Sequence, residues 1–219
     1  MRQLKPDEPI NVDQVMSRLL SQKPRQENFR WKCTRQQAID LLRACYTAEV
    51  ESRHRTCLMD EATRGHIFRL ASWLTDLTDT HFGVMMIGGV GNGKTTMLRA
   101  LQRGYWWMMQ DESCDYQTEY RLDIVNAKEL GDTNKTWQKL GIDELGIEPI
   151  EVQQYGNITT PSSDVLTYRY DRRLPTFVTT NLAQDPRDGE TLRQRYGDRL
   201  ADRFNEMFYV IAFYNQSYR

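Results

Sequence analysis

Gly88-Gly89-Val90-Gly91-Asn92-Gly93-Lys94-Thr95, followed by Thr96, holds four positions between two glycines and closes on a Lys-Thr pair. That spacing suits a polyphosphate. Glycines let successive backbone N–H groups curl around an anion at the positive end of a helix, Lys94 reaches the β and γ oxygens, and the Thr95 hydroxyl can hold Mg²⁺. A glycine-rich turn that merely precedes Lys-Thr is the alternative, and the flanks argue against it. Val84-Met85-Met86-Ile87 reads as a buried strand before the loop, and Met97, Leu98, Leu101, Tyr105 and Met109 recur near helical spacing after it. The pattern implies a protein that binds a nucleoside triphosphate.

Lys139-Leu140-Gly141-Ile142-Asp143-Glu144 reads as a strand ending in two acids, the form of a Walker B element. Asp143, at the carboxyl end of the strand, is placed to take Mg²⁺ through water, and Glu144 to orient and deprotonate the attacking water. Leu174-Pro175-Thr176-Phe177-Val178-Thr179-Thr180-Asn181 is an apolar strand closing on an amide. Beside the first strand, it would point Asn181 between the phosphate loop and the acids, where it could sense a γ-phosphate; a turn-forming Asn is the plainer reading. Between Glu190 and Glu206, Arg195, Arg199 and Arg203 recur every fourth residue beside Leu192, Tyr196, Leu200 and Phe204. One continuous helix would set an arginine row along an apolar seam, and Gly197 could break and rotate it. Such arginines can complete a neighbouring copy's nucleotide site, although the interleaved Asp198 and Asp202 also suit an ordinary solvated ion-pair face.

These residues need a sheet to align them. From residue 82 onward apolar runs alternate with helical stretches, the pattern of a parallel α/β sheet, with five strands expected at 83–87, 121–126, 138–143, 176–180 and 207–213. Residues 60 to 78 read as an amphipathic helix with Ile67, Leu70, Ala71, Leu74 and Leu77 on one face. Nearer the N-terminus, Asn11 with Gln14 and Thr34 with Gln37 form capping-box starts, each followed by apolar residues at helical spacing. Between them the segment from Lys23-Pro24-Arg25 to Phe29-Arg30-Trp31-Lys32 interleaves basic and aromatic residues. It suits a nucleic-acid or partner contact, or a loop with Trp31 tucked under a helix.

The chain has 219 residues, room for one core of roughly 140 residues and a smaller appendage. Residues 1 to 58 carry eleven Lys/Arg against seven Asp/Glu, whereas the whole chain has 29 against 30. With a pI near 6.3, no global cationic field can hold nucleic acid, so a DNA contact would have to be local or shared. Mean hydropathy is −0.69, and no apolar run approaches the roughly 20 residues a bilayer requires or forms a signal peptide's core. A cytoplasmic protein without a membrane partner is expected. Cys33, Cys45, Cys57 and Cys114 make no C-x-x-C pair, and His54, His66 and His81 are scattered, which argues against zinc and disulfides.

Taken in order, these pieces resemble the DnaC/IstB-type branch of the AAA+ ATPases, the replicative helicase loaders and transposition helper ATPases. The resemblance covers about residues 80 to 219. It rests on the phosphate loop, Ile142-Asp143-Glu144-Leu145-Gly146, Tyr155-Gly156, Arg169-Tyr170, Thr179-Thr180-Asn181-Leu182, Tyr196-Gly197-Asp198-Arg199-Leu200-Ala201-Asp202-Arg203-Phe204, Glu206-Met207 and Ser217-Tyr218-Arg219. It implies a P-loop NTPase of AAA+ type with a five-stranded parallel sheet in the order 5-1-4-3-2. It implies ATP and Mg²⁺ as ligands, Asn181 as sensor 1, Arg203 as arginine finger and Arg199 as a second interface arginine.

Two departures accompany it. Only Lys128 to Lys139 separates the second strand from the acidic one, shorter than the insert with which such loaders touch single-stranded DNA, which weighs against a direct DNA contact by the core. The chain also closes just after its fifth strand, without a helical lid, leaving Arg219 as a further candidate for nucleotide contact. The expected organisation is a small helical partner-binding region at 1–58 and an ATPase core at 59–219. The function expected is ATP-driven loading of a replicative helicase in replication initiation by a nucleotide-dependent homo-oligomer, with the helicase held by residues 1–78. A transposition helper and a nucleotide-gated adaptor with negligible hydrolysis are the alternatives.

Overall fold

Apolar strands separated by amphipathic helices must pack as layers, and the computed structural model shows a parallel sheet between two helical layers. It describes residues 11–21, 29–108, 121–134, 136–154 and 157–218. Among these, the order is α1 (Val12–Ser21), α2 (Arg35–Glu51), α3 (Glu61–Thr75), β1 (Gly83–Gly88), α4 (Lys94–Met108) and β2 (Leu122–Asn126). A 3₁₀ turn (Ala127–Asp132) follows, then β3 (Lys139–Leu145), β4 (Val152–Gln154), β5 (Asn157–Thr159), α5 (Pro161–Asp171), β6 (Thr176–Thr180), α6 (Leu192–Met207) and β7 (Phe208–Phe213). The main sheet runs β2-β3-β6-β1-β7 with every pairing parallel. Counted by its own five strands this is 5-1-4-3-2, the AAA+ order that the resemblance implied. The antiparallel β4–β5 pair is an addition that the sequence pattern did not announce.

Strand alternation divides the core. Phe177 on β6 lies in register with Val84 and packs edge-on against Trp73 of α3, 6.0 Å between centroids, with Tyr105 of α4 also at 6.0 Å. Met85 and Ile87, one residue out of phase, line a space with Ala201 and Phe204 of α6. Thus α3 and α4 cover one face, while α6 lies over the other.

The buried core continues across the expected boundary at residue 58. Ala38, Leu42, Cys45 and Tyr46 of α2 join the same apolar cluster as Leu98 and Leu101 of α4. Glu49 of α2 receives Arg103 of α4 at 2.8 Å. The basic-aromatic stretch is structural where it is described. Trp31 is 4 % exposed, and a Cβ on Gly104 would meet its ring at 2.6 Å. Arg30 lies over the Trp73 ring at 3.8 Å and donates to the Asp79 and His81 carbonyls at 3.1 and 2.9 Å. These contacts tie the segment beneath α3 and α4 and leave the Trp31 and Arg30 side chains unavailable to a nucleic acid; residues 23–28 lie outside the described part.

Local signals explain most boundaries. The Thr34–Gln37 capping box is formed in both directions, and Asn11 accepts from Gln14 N–H at 3.0 Å. Asp60 caps α3, which ends at Thr75, so Leu77 lies past the helix and is 75 % exposed rather than on its buried face. On α1 the apolar side chains Val12, Val15 and Met16 are exposed. Cys33, Cys45 and Cys57 are free thiols; Cys114 and Met109 lie outside the described residues. No described helix is long and apolar enough to cross a membrane.

Candidate nucleotide site

The phosphate loop joins the carboxyl end of β1 to the first turn of α4, so its backbone N–H groups and the helix dipole converge. Gly93 has φ +97 and a Cβ there would lie 2.9 Å from Tyr46 Oη, which gives that position to glycine on both conformational and steric grounds. The stretch after β7 fastens the loop from outside. Tyr218 N–H donates to the Gly91 carbonyl at 2.9 Å, Asn215 to the Asn92 carbonyl at 3.2 Å, and the Asn92 amide to the Phe213 carbonyl. Tyr218 is anchored in turn on Asp60, at 2.9 Å.

Lys94 folds back onto its own loop, with Nζ 2.8 Å from Gly88 O, 2.6 Å from Gly89 O and 3.0 Å from Asn92 Oδ1. Burial lowers its pKa to about 8 against the raising influence of Asp143 and Glu144. An incoming polyphosphate would exchange three neutral acceptors for charged ones.

Behind the loop, one hydrogen-bonded chain organises both acids. Thr95 Oγ1 donates to Asp143 Oδ1 at 2.9 Å, Thr179 Oγ1 donates to the same oxygen at 2.6 Å, and Glu144 N–H donates to Thr179 Oγ1 at 2.8 Å. Asn126, paired with Asp143 across β2 and β3, donates its amide to Glu144 Oε2 at 3.1 Å. The β3–β6 ladder slips between Ile142 and Leu145, so Asp143 and Glu144 occupy a bulge. Glu144 has φ 62, a left-handed conformation costing about 1–2 kcal/mol for a residue with a Cβ. The slip turns the second carboxylate toward the cavity.

That cavity has a volume of about 810 Å³. Val90, Gly91, Asn92, Gly93, Lys94, Thr95 and Thr96 line it with Asn126, Asp143, Glu144, Thr179 and Asn181. Gly88 and Gly89 stand behind, where their carbonyls hold Lys94. Tyr46, Val50, Arg53 and Arg55, together with Tyr218, build another part of the wall, so α2 and the segment after it belong to the pocket. Thr95 and Asp143 fit Mg²⁺: they offer hard oxygens side by side, and this ion takes one or two protein ligands, completing its shell with phosphate and water. Among the described residues, no cluster of three or more His, Cys, Asp or Glu suits a metal.

The arginines lie elsewhere. α6 is broken at Gly197, φ 79 and ψ 166, which rotates Arg199 and Arg203 relative to Arg195. Neither Arg199 nor Arg203 lines the cavity; Arg199 is exposed, whereas Arg203 lies 4.8 Å above the Tyr170 ring and 3.7 Å from Asp171. Arg195 instead turns inward to Glu148 and Glu190. Arg169, quoted above for its family likeness, is fully buried and bonds Thr176 Oγ1, the Trp137 carbonyl and the Pro175 carbonyl, a structural cross-tie. Tyr155-Gly156 and Arg219 lie outside the described residues.

Sequence reasoning gave no site role to Asn126, Thr179, Tyr46 or the segment 53–56, although Thr179 lies in a stretch that carries the resemblance. Asn126 and Thr179 end or nearly end strands that flank β3, and polar residues at carboxyl ends of parallel strands were the available signal. Tyr46 carried none, since its spacing on α2 is that of a core residue.

The strand order and the placement of the loop and acids are those of a P-loop NTPase fold, in the sheet order that the resemblance implied. Similar solved structures include a DnaC helicase loader, at 16% identity over 72% of this chain and 93% of that one, with a TM-score of 0.48. DnaI is similar at 21% identity over 78% of this chain and 93% of that one, TM-score 0.44. A putative primosome component from Streptococcus pyogenes serotype M3 is similar at 14% identity over 90% of this chain and 100% of that one, TM-score 0.49. No family model and no curated protein matches the chain.

Proposed function

We propose that this protein is a Mg²⁺-dependent ATPase of AAA+ type that assembles side by side and loads a replicative DNA helicase during replication initiation. The observation that carries the ATPase reading is the chain Thr95–Asp143–Thr179–Glu144–Asn126 behind a complete phosphate loop. Loop N–H groups and Lys94 bind the β and γ phosphates, and Asn181, on the cavity wall, donates to the terminal phosphate or to the attacking water. Glu144 accepts the water's proton once its carboxylate leaves Asn126. Thr95 and Asp143 would hold Mg²⁺, which would supply charge neutralisation to the bound polyphosphate.

Arg203 is the arginine finger and Arg199 its companion, both acting on the site of a neighbouring copy. Their position outside the chain's own cavity supports this, because an arginine finger acting in trans is not expected to line the pocket of its own chain. The exposed apolar side chains Val12, Val15 and Met16 on α1 support a partner contact by the N-terminal region, which we assign to the helicase.

Retention of the organism's replicative helicase on the immobilised full chain tests the loading assignment. Wild type is expected to retain it in an ATP-dependent manner and a Val15→Asp, Met16→Asp double variant to lose it. No retention in any nucleotide state contradicts the assignment. Filaments on duplex DNA with ATP would instead favour a transposition helper.

A further inference from the structure

Glu148 is a carboxylate only 4 % exposed that the hydrolytic scheme leaves without a role. Its Oε2 accepts the Gly146 N–H at 2.8 Å and its Oε1 accepts the Tyr196 hydroxyl at 2.5 Å. Its own carbonyl accepts a guanidinium N–H of Arg195, which also pairs with Glu190 at 3.3 Å. Burial pushes the Tyr196 phenol upward in pKa, so its hydroxyl remains a donor. Through one buried side chain, the turn after β3 is therefore fixed to the first segment of α6.

The turn needs such support. Glu144 holds φ 62, and a non-glycine residue keeps that conformation where its surroundings over-determine it. Thr179 secures its amino side, and on the carboxyl side Ile147 N–H closes the turn onto the Glu144 carbonyl at 3.2 Å. Glu148 secures Gly146, inside that closure, and rests on α6. Beyond the Gly197 break the same helix carries Arg199 and Arg203.

Building on the ATPase reading above, the geometry points to Glu148 and Tyr196 as positioning residues that hold the Glu144 turn against α6, so that engagement of Arg199 and Arg203 by a neighbouring copy shifts the hydrolytic carboxylate of the same chain. One protomer's hydrolysis is thereby made responsive to what its own α6 is touching. Tyr196 is the hinge-side member, adjacent to the break at Gly197, and Glu148 is the member on the acidic turn. Neither touches the reacting atoms.

Tyr196→Phe removes one hydroxyl and keeps the ring. In the full-length protein with a slowly hydrolysed ATP analogue, amide hydrogen exchange across residues 144–147 is expected to quicken. Turnover kcat at assembly-forming protein concentrations is expected to fall about tenfold, the loss of one hydrogen bond to a charged group, with KM and ATP affinity unchanged. Glu148→Gln keeps an acceptor for Gly146 and should lose less. Wild-type exchange and wild-type kcat in Tyr196→Phe overturn the inference, as does an equal loss of ATP affinity and kcat, which would mean general loosening. Faster exchange in the variant beside a wild type that does not hydrolyse ATP at all supports the tether and rejects the ATPase reading.

Discussion

Asp143 and Arg203 are both charged side chains assigned to phosphate chemistry, and their surroundings are opposite. Asp143 is 9 % exposed and accepts hydroxyl donors from two different elements on a single oxygen. Arg203 faces Asp171 across 3.7 Å, and that carboxylate is 51 % exposed. Arg203 itself is 20 % exposed and also lies 4.8 Å above the Tyr170 ring, so the ion pair is open to solvent on its acidic side only and adds little by itself. The acidic half of the site is organised by hydrogen bonds within one chain, whereas Arg203 rests on a ring face and an ion pair open to solvent. Under the proposed function, fixed hydrogen bonding serves the chain's own ligand and exchangeable pairing serves a neighbour's.

Breaking the arginine half should have the largest effect. Arg203→Ala is expected to lower turnover by about 10³ to 10⁵ while leaving ATP affinity intact, and only at concentrations where copies assemble. A phosphate-release assay across protein concentrations checks this; full activity in the variant would reduce Arg203 to a surface ion pair. Breaking the acidic half at its reactive end comes next. Glu144→Gln should bind ATP normally and lose about 10² to 10⁴ in turnover, measured as single-turnover hydrolysis beside a binding titration.

A subtler change sharpens the contrast. Asn126→Ala removes the amide that holds Glu144 at 3.1 Å, so unassembled protein should hydrolyse a few-fold faster, about the effect of one hydrogen bond. Basal turnover equal to or below wild type would show that Asn126 supports Glu144 instead of restraining it. The smallest signal is protonic. Because burial lowers the pKa of Lys94 to about 8, a fraction of the unliganded molecules lacks that proton at mildly alkaline pH, and phosphate restores it. Calorimetry in two buffers of different ionisation enthalpy should show net proton uptake on binding at mildly alkaline pH, with affinity weakening as pH rises further.

Much of the sheet was legible because each strand is a short apolar run bounded by polar residues, and Thr176–Thr180 falls where its pattern ends. The phosphate loop and acidic pair were legible because they are contiguous in sequence. Asn126 and Thr179 were not, since their meaning depends on which strands lie beside β3 and on a ladder slip that no local pattern encodes. The role of α2 in the cavity wall was also hidden: Tyr46 has the spacing of a core residue and is one, at 4 % exposure, yet it also borders the phosphate loop. At the Arg30 segment the sequence left two readings open, and the one with Trp31 tucked under a helix holds, although the burial of Arg30 against Trp73 was not legible from its charge.

Mixing two inactive variants tests most directly whether the site is shared between copies. Arg203→Ala keeps Glu144 but lacks the finger, and Glu144→Gln keeps the finger but lacks the base. If the neighbour's arginine completes the pocket, an equimolar mixture should hydrolyse ATP well above either variant alone, at the junctions where a Glu144→Gln subunit serves an Arg203→Ala one. A mixture as inactive as its two parents, at concentrations where wild type is active, would contradict the account.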